Sequence, residues 1–436
     1  MSAPFDVVVI GAGMAGLAAG RVLAQASRRV AIVEARDRVG GRIYTHRPAP
    51  DIPVELGAEF VHGRPPALWA LIREANLPAY ELEGSELIYE GGRRSARSEL
   101  PGHAHHVLED MNRWLEIQPD GTDMSFARYL ETHPVEPEAA EAAIRYVEGF
   151  NAADQHRIGV ASLAKQQRAE DAIEADRLFR VAPGYDAVPG YLASEIVRTG
   201  GRIELGTAVH RIEWRPGSVA VLARTARGEQ TRILARRALI TVPLGVLQAG
   251  SIRFEPPPAA ILEQADRLAM GAALRVVLVF RSKFWPENLS FLLTPSETPA
   301  SWWTPMPNEA PTLTGWLGGP RAASMPPGTG DAGAPLLSSS LETLAKVFNR
   351  PVAELRGLLS GWHTHDWLAD PYAGGAYSYV PAGALDAPER MTHPVEDTLY
   401  FAGEHTDVTG HWGTVHAALQ SGTLSAERLI RARTLG

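Results

Sequence analysis

The segment from Asp6 to Arg42, DVVVIGAGMAGLAAGRVLAQASRRVAIVEARDRVGGR, restricts the fold of this chain more than any other. Asp6 to Ile10 is a short apolar run rich in β-branched residues, and Gly11, Gly13 and Gly16 interrupt it. A helix-forming segment continues to about Ala26, and Val30 to Val33 is β-branched again. The pattern predicts one complete βαβ unit. Gly11 permits the tight turn, Gly13 lets backbone approach a pyrophosphate, and Gly16 lets helix and strand pack closely, while the helix N-terminus offers unpaired N–H groups to an anion. Glu34 falls at the end of the second strand, where a carboxylate accepts from both hydroxyls of an adenosine ribose and repels the phosphate of NADP.

The residues that follow separate NAD from FAD. Arg36, Gly40, Gly41 and Arg42 form a second glycine pair flanked by guanidinium groups, which brings two positive forks to the same pyrophosphate. The full run resembles the dinucleotide-binding motif of the flavin-containing amine oxidases, the family of monoamine oxidases, polyamine oxidases and flavin histone demethylases. FAD is therefore the expected cofactor. The resemblance puts Gly11, Gly13, Met14, Ala15, Gly16, Glu34, Ala35, Arg36, Gly40, Gly41 and Arg42 on it.

At 436 residues the chain exceeds one ordinary core. Its 45% hydrophobic and 21% charged content are those of a soluble globular protein. A formal charge of −8 argues against a nucleic-acid partner and mildly favours cationic small molecules. There is no cysteine, which excludes disulfides, thiolate metal sites, cysteine nucleophiles and a cysteinyl flavin. The apolar N-terminal run lacks a basic flank and already serves as the first strand, so no signal peptide is expected. No apolar segment approaches the roughly 20 residues of a membrane span. The expectation is a soluble, cytoplasmic protein without a membrane partner. No metal is expected either: His103, His105 and His106 lack the spacing of a facing pair and read as a solvated turn or helix start.

Further along, Val54 to Gly63 (VELGAEFVHG) resembles the family's second flavin-contacting stretch, with Gly57 and Ala58 small enough to lie against an isoalloxazine ring. His62 matches the histidine that animal-type polyamine oxidases carry beside the flavin; its alternative reading is a bond to a backbone carbonyl. Glu59 is a second candidate, as a carboxylate that holds a cationic amine. Pro65 to Asn76 reads as a helix, Glu86 to Glu99 as a hairpin about Gly91 and Gly92, and His103 to Arg177 as helix-rich. Ile203 to Leu205 and Thr207 to Trp214 read as strands, and the resemblance gives Val209 a main-chain contact with adenine.

Leu274 to Phe280 is another strand. The family usually has a lysine here holding a water at the flavin N5; this sequence has Arg275, which stays protonated and cannot act as a base. Arg275 then holds the water as a donor only, or pairs with a substrate carboxylate. Lys283 lies eight residues further on, on the same face if the strand continues. Trp302, Trp303 and Trp316 read as core or as walls of a substrate tunnel.

The last constellation is Trp362 to Val380 and Tyr400 to Gly422. By resemblance Trp367 packs on the flavin, Gly403 and Glu404 meet a ribityl hydroxyl, and Thr414 and Val415 open a helix whose N-terminus faces the flavin C2 carbonyl. Tyr377 is one wall of an aromatic sandwich for the amine; the second wall falls at Thr414. Ala376 stands where monoamine oxidases attach flavin through cysteine, so the FAD is non-covalent by that route.

The expected fold is α/β, with a discontinuous Rossmann-like FAD-binding domain (1–80, 181–250, 385–436) and an α+β substrate domain (81–180, 251–384). The resemblance implies catalysis by His62, Glu59, Arg275, Tyr377 and Thr414. The implied reaction oxidises an amine C–N bond by hydride transfer to flavin N5, with imine hydrolysis and reoxidation by O2 to H2O2. The alternatives are an amino-acid oxidase, a flavin dehydrogenase, or a catalytically silent flavin-binding protein.

Overall fold

The computed structural model describes residues 3–49, 52–96, 103–119, 121–325 and 334–432. The strand Phe5–Ile10 turns at Gly11 into the helix Met14–Gln25, which returns through the parallel strand Val30–Val33. Side chains alternate along the first strand: Val7 and Val9 join the core beneath the first helix, while Val8 and Ile10 join the core on the opposite face. Burial on both faces is why this strand reads as continuous β-branched residues.

The large sheet runs in the order Arg202–Glu204, Val30–Val33, Phe5–Ile10, Gln230–Ile240, Ser218–Thr225, Thr207–Arg215, Arg253–Glu255, and Leu399–Phe401 pairs with Gln230–Ile240. Its first four strands are parallel and the hairpins on residues 207–240 are antiparallel. Ile261, Ala265, Leu268, Val380 and Ala384 pack into the same core, so that core extends past the expected breaks at 250 and 385.

The last helix, Val415–Arg431, lies directly on the first. A Cβ on Gly422 would fall 2.0 Å from the Ala15 carbonyl oxygen, and one on Gly16 would fall 1.9 Å from that of Gly11. Glycine at these two positions lets backbone meet backbone, drawing both ends of the chain onto one turn.

A second sheet runs Leu359–His363, Ala273–Phe280, Thr312–Gly318, Ser301–Trp303, Leu289–Leu293, Ser85–Glu90, Arg93–Ala96. Val276, Leu278 and Phe280 pack under the helix Ala334–Phe348, and the alternate residue Val277 meets Val54 and Leu56 on the other face. The strand ends at Phe280, so Lys283 does not share the face of Arg275; it lies beyond the strand and pairs with Glu309. Four helices, His103–Glu116, Phe126–Thr132, Pro137–Asn151 and Val160–Asp171, form a group with its own core around Met111, Phe126 and Val147. His105 and His106 are exposed in the first of them, each within reach of Glu109, an acid overlooked in the sequence. Among the described residues no helix is long and apolar enough to cross a membrane.

Gly422→Ala is expected to lower stability by about 2 kcal/mol or more, because the added methyl must push the two helices apart. Thermal denaturation compared with an exposed Gly357→Ala control reads this directly.

Candidate active site

One cavity of about 2190 Å³ runs from the glycine-rich turn to the second sheet and the helical group. Drug-sized ligand sites span about 300–1,000 Å³; this one has room for a dinucleotide and a further ligand.

At the nucleotide end, Gly11 holds φ +105° against Thr241, whereas a Cβ on Gly13 would meet nothing within 4 Å. The helix beginning at Met14 and Ala15 has no side-chain cap, so its first N–H groups stay open to an anion. Glu34 is 5% exposed; its carboxylate accepts from the N–H of Ala12 at 2.7 Å and of Arg36 at 2.9 Å, bracing the turn. Gly40 bridges to Gly13, and Gly40 and Gly41 hold φ of +100° and +59°. Ala35 and Val209 line the same end, with a register shift in the strand just after Val209. The two guanidinium forks are already engaged. Arg36 pairs with Asp370 at 2.6 Å, and Arg42 donates to Glu404 at 2.9 Å and to the Ala376 carbonyl at 3.0 Å.

At the other end Trp367 is buried and donates through Nε1 to the Leu56 carbonyl at 2.7 Å. A Cβ on Gly57 would fall 1.9 Å from the Arg42 carbonyl oxygen, and Ala58 donates to that oxygen at 3.0 Å. Gly403 has φ +153°, and Glu404 beside it accepts from Ser378 as well as Arg42, and from the Gly413 N–H at 2.9 Å. Thr414 caps the last helix: its hydroxyl accepts from the Ala417 N–H at 3.2 Å and donates to the His411 carbonyl at 2.7 Å. Val415 begins that helix. The N-termini of the first and last helices both face the cavity.

The pocket beyond departs from the sequence expectation at Glu59. Its carboxylate is not free for an amine: it accepts from Arg180 Nε at 2.8 Å, Arg275 Nη1 at 3.0 Å and Trp303 Nε1 at 2.9 Å. Arg275, 6% exposed, also donates to the Glu55 carbonyl at 2.8 Å and lies 5.3 Å over the Trp303 ring and 5.6 Å over that of Trp316. It thus lies buried in an ion pair with Glu59. Desolvation lowers its pKa and Glu59 partly restores it.

Trp316 supplies an aromatic partner that Thr414 does not: its ring lies 6.4 Å from Tyr377, within 7° of parallel. Tyr377 donates to the Phe150 carbonyl, and burial raises its pKa. Of the other tryptophans, Trp303 lines the cavity and Trp302 is core. His62 lines the cavity between Phe60 and Phe150 and bonds the backbone of Ala175. Burial pushes its pKa down to about 4. His416 was missed: it is 6% exposed, lines the cavity, and its Nε2 has no partner. Its only sequence signal is its place two residues after the cap. Arg180 was missed too, although a lone arginine in the strand Leu178–Val181 marks a buried charge in need of a partner.

The glycine-rich turn, the uncapped helix N-terminus and the long cavity have the form of a dinucleotide site. The pattern of the family described as flavin containing amine oxidoreductase matches residues 14–430. Polyamine oxidase 2 of Arabidopsis thaliana is 31% identical, over 97% of this chain and 87% of that protein. A structure of putrescine oxidase bound to putrescine superposes with a TM-score of 0.84 at 22% identity, over 99% of this chain and 100% of that one. Cyclohexylamine oxidase from Brevibacterium oxydans does so at 0.81 and 23%, over 98% and 100%. The chain belongs to the flavin-containing amine oxidoreductases; it is an FAD-dependent enzyme acting on amines, and with no cysteine it has no cysteinyl link to flavin.

Glu59→Gln is expected to cost about 3 kcal/mol or more in chemical denaturation, because two buried guanidinium groups lose their shared anion. His405 gives a pH-dependent counterpart. It is 1% exposed, neither ring nitrogen has a partner, and burial holds its pKa near 4 against 6.5 when free. The unfolded chain therefore takes up this proton first, and stability is lost as pH falls from about 6.5 to 4, at up to about 1.4 kcal/mol per pH unit. His405→Leu should gain stability relative to the parent progressively across that window; a constant difference from pH 7.5 to 4.5 contradicts the assignment.

Proposed function

We propose that the protein is an oxidase of di- or polyamine-type substrates. The reading rests on one observation: the dinucleotide cradle, the aromatic pocket and an acidic arm share a single cavity. Lining residues between 104 and 176 include seven carboxylates (Glu138, Glu141, Glu148, Glu170, Asp171, Glu174, Asp176) and one arginine, Arg145. This excess attracts the distal ammonium of a diamine. Glu170, whose pKa burial raises to about 7, adds its charge as pH rises past neutrality.

In this reading the large sheet with the first and last helices forms the cofactor half, and the second sheet with the helical group forms the substrate half. Gly13, the first helix N-terminus, Glu34, Arg36 and Arg42 hold the ADP portion of FAD; Gly57, Trp367, Glu404 and the last helix hold the flavin. FAD held there would supply a two-electron acceptor for hydride, with O2 as the final acceptor and H2O2 as its product. The protein's part is orientation, dryness and charge. Tyr377 and Trp316 flank the amine, which must be unprotonated because only a nitrogen lone pair can expel hydride. The Arg275 guanidinium opposes the cationic form, and His62, held neutral by burial, is free of charge at working pH. Water hydrolyses the imine to carbonyl and amine.

Anaerobic addition of putrescine, cadaverine, spermidine and simple monoamines should bleach the flavin absorbance, with faster bleaching by substrates bearing a second ammonium. Admitting oxygen should restore the colour with stoichiometric H2O2. Bleaching without fast reoxidation identifies a dehydrogenase, and no bleaching by any amine removes the proposal.

A further inference from the structure

The two rings that flank the amine in the reading above are both tied to the end of one helix. Trp316 Nε1 donates to the Gly149 carbonyl at 3.0 Å, and the Tyr377 hydroxyl donates to the Phe150 carbonyl at 2.5 Å. These are among the last carbonyls of the helix Pro137–Asn151, which lack an intrahelical partner because the chain leaves the helix at Ala152 with φ +50°. The main chain repeats the connection. A Cβ on Gly318, two residues after Trp316 in its strand, would fall 2.4 Å from the Gly149 carbonyl oxygen. A Cβ on Gly271 would fall 2.6 Å from the Ala152 carbonyl oxygen, and the Gly271 N–H donates to the Tyr377 carbonyl at 2.8 Å. The Phe150 ring meets that of His62 edge-on, with centroids 5.9 Å apart and planes at 85°. One helical turn therefore sets both rings and touches the histidine beside them.

The same helix walls the acidic arm. Glu138, Glu141, Ala142, Arg145, Glu148 and Gly149 all line the cavity, and their recurrence every three or four residues puts them on one face. At 1.5 Å per residue that face runs about 16 Å from Glu138 to Gly149.

We propose that the last turn of this helix is the positioning element of the aromatic pair, and that through it the hold on a substrate's second ammonium reaches the reacting carbon, as a faster flavin reduction and not as affinity alone. The inference rests on the amine-oxidising reading above and deepens it. Binding energy from a remote part of a substrate raises kcat only where it is used to orient the reacting atoms. Here an ammonium held along the helix face orders the turn that ends it, and two hydrogen bonds pass that order to both rings. Gly149 and Phe150 act through the rings, not on the amine itself. A misplacement of about 1 Å at a reacting centre can cost about 100-fold in rate, so a small gain in order suffices.

Anaerobic stopped-flow mixing of the holoenzyme with putrescine against butylamine, and with cadaverine against pentylamine, separates the limiting rate of flavin reduction from the dissociation constant. The diamine of each pair should reduce the flavin roughly 10-fold faster or more at saturation. Tyr377→Phe and Trp316→Phe each keep an aromatic ring and lose the donor to the helix. In both, the diamine's advantage in limiting rate should fall toward parity, while its advantage in dissociation constant stays. Equal limiting rates for diamine and monoamine in the parent, or a rate advantage that survives both substitutions, overturns the inference and leaves amine oxidation standing. If no amine bleaches the flavin, the wider reading fails. Putrescine binding is then followed through the fluorescence difference between the parent and Trp316→Phe, and a difference that putrescine leaves unchanged overturns the positioning role separately.

Discussion

The structure depends on one close approach of backbone to backbone. Residues 11–42 and residues 403–416 both line the cavity, yet they lie at opposite ends of the chain. They meet because the first and last helices touch at Ala15 and Gly422 with no side chain between them. A larger residue there would separate the open N-terminus of the first helix from that of the last, and each would lose its place on a common ligand.

Charge arrangement is the second determinant. Away from the acidic arm, charged groups lining the cavity are matched within the protein: Arg36 with Asp370, Arg42 with Glu404, Glu59 with two arginines. Pairing fixes these side chains before any ligand arrives, so less ordering remains to be done on binding. Among the described residues that line the cavity, Nε of Arg275, Nε2 of His416 and the Tyr185 hydroxyl are buried polar atoms without a hydrogen-bond partner.

The backbone plan was legible in the sequence because it rests on local rules. Glycines at 11, 13 and 16 and the β-branched runs on either side define the first unit, and the cap at Thr414 defines the last helix. The state of the side chains was not legible, since it depends on partners far away in sequence. Glu59 looked available for an amine until Arg180, 121 residues on, took one oxygen. Trp316 read as core or as a tunnel wall until the sheet set it parallel to Tyr377. Strand length misled at Lys283, where alternation was extended past the end of the strand at Phe280.

Asp370 gathers a further relationship. It accepts from Arg36 at 2.6 Å and from His365 Nε2 at 2.7 Å, and its pKa lies near 2, lowered by His365 and Arg36 against the desolvation that opposes them. The segment between His365 and Tyr377, which carries Trp367, is thereby latched to the nucleotide side of the cavity. Because the Arg36–Asp370 pair is only 12% and 8% exposed, salt screens it little, and the segment that carries Trp367 keeps its place across a wide range of ionic strength.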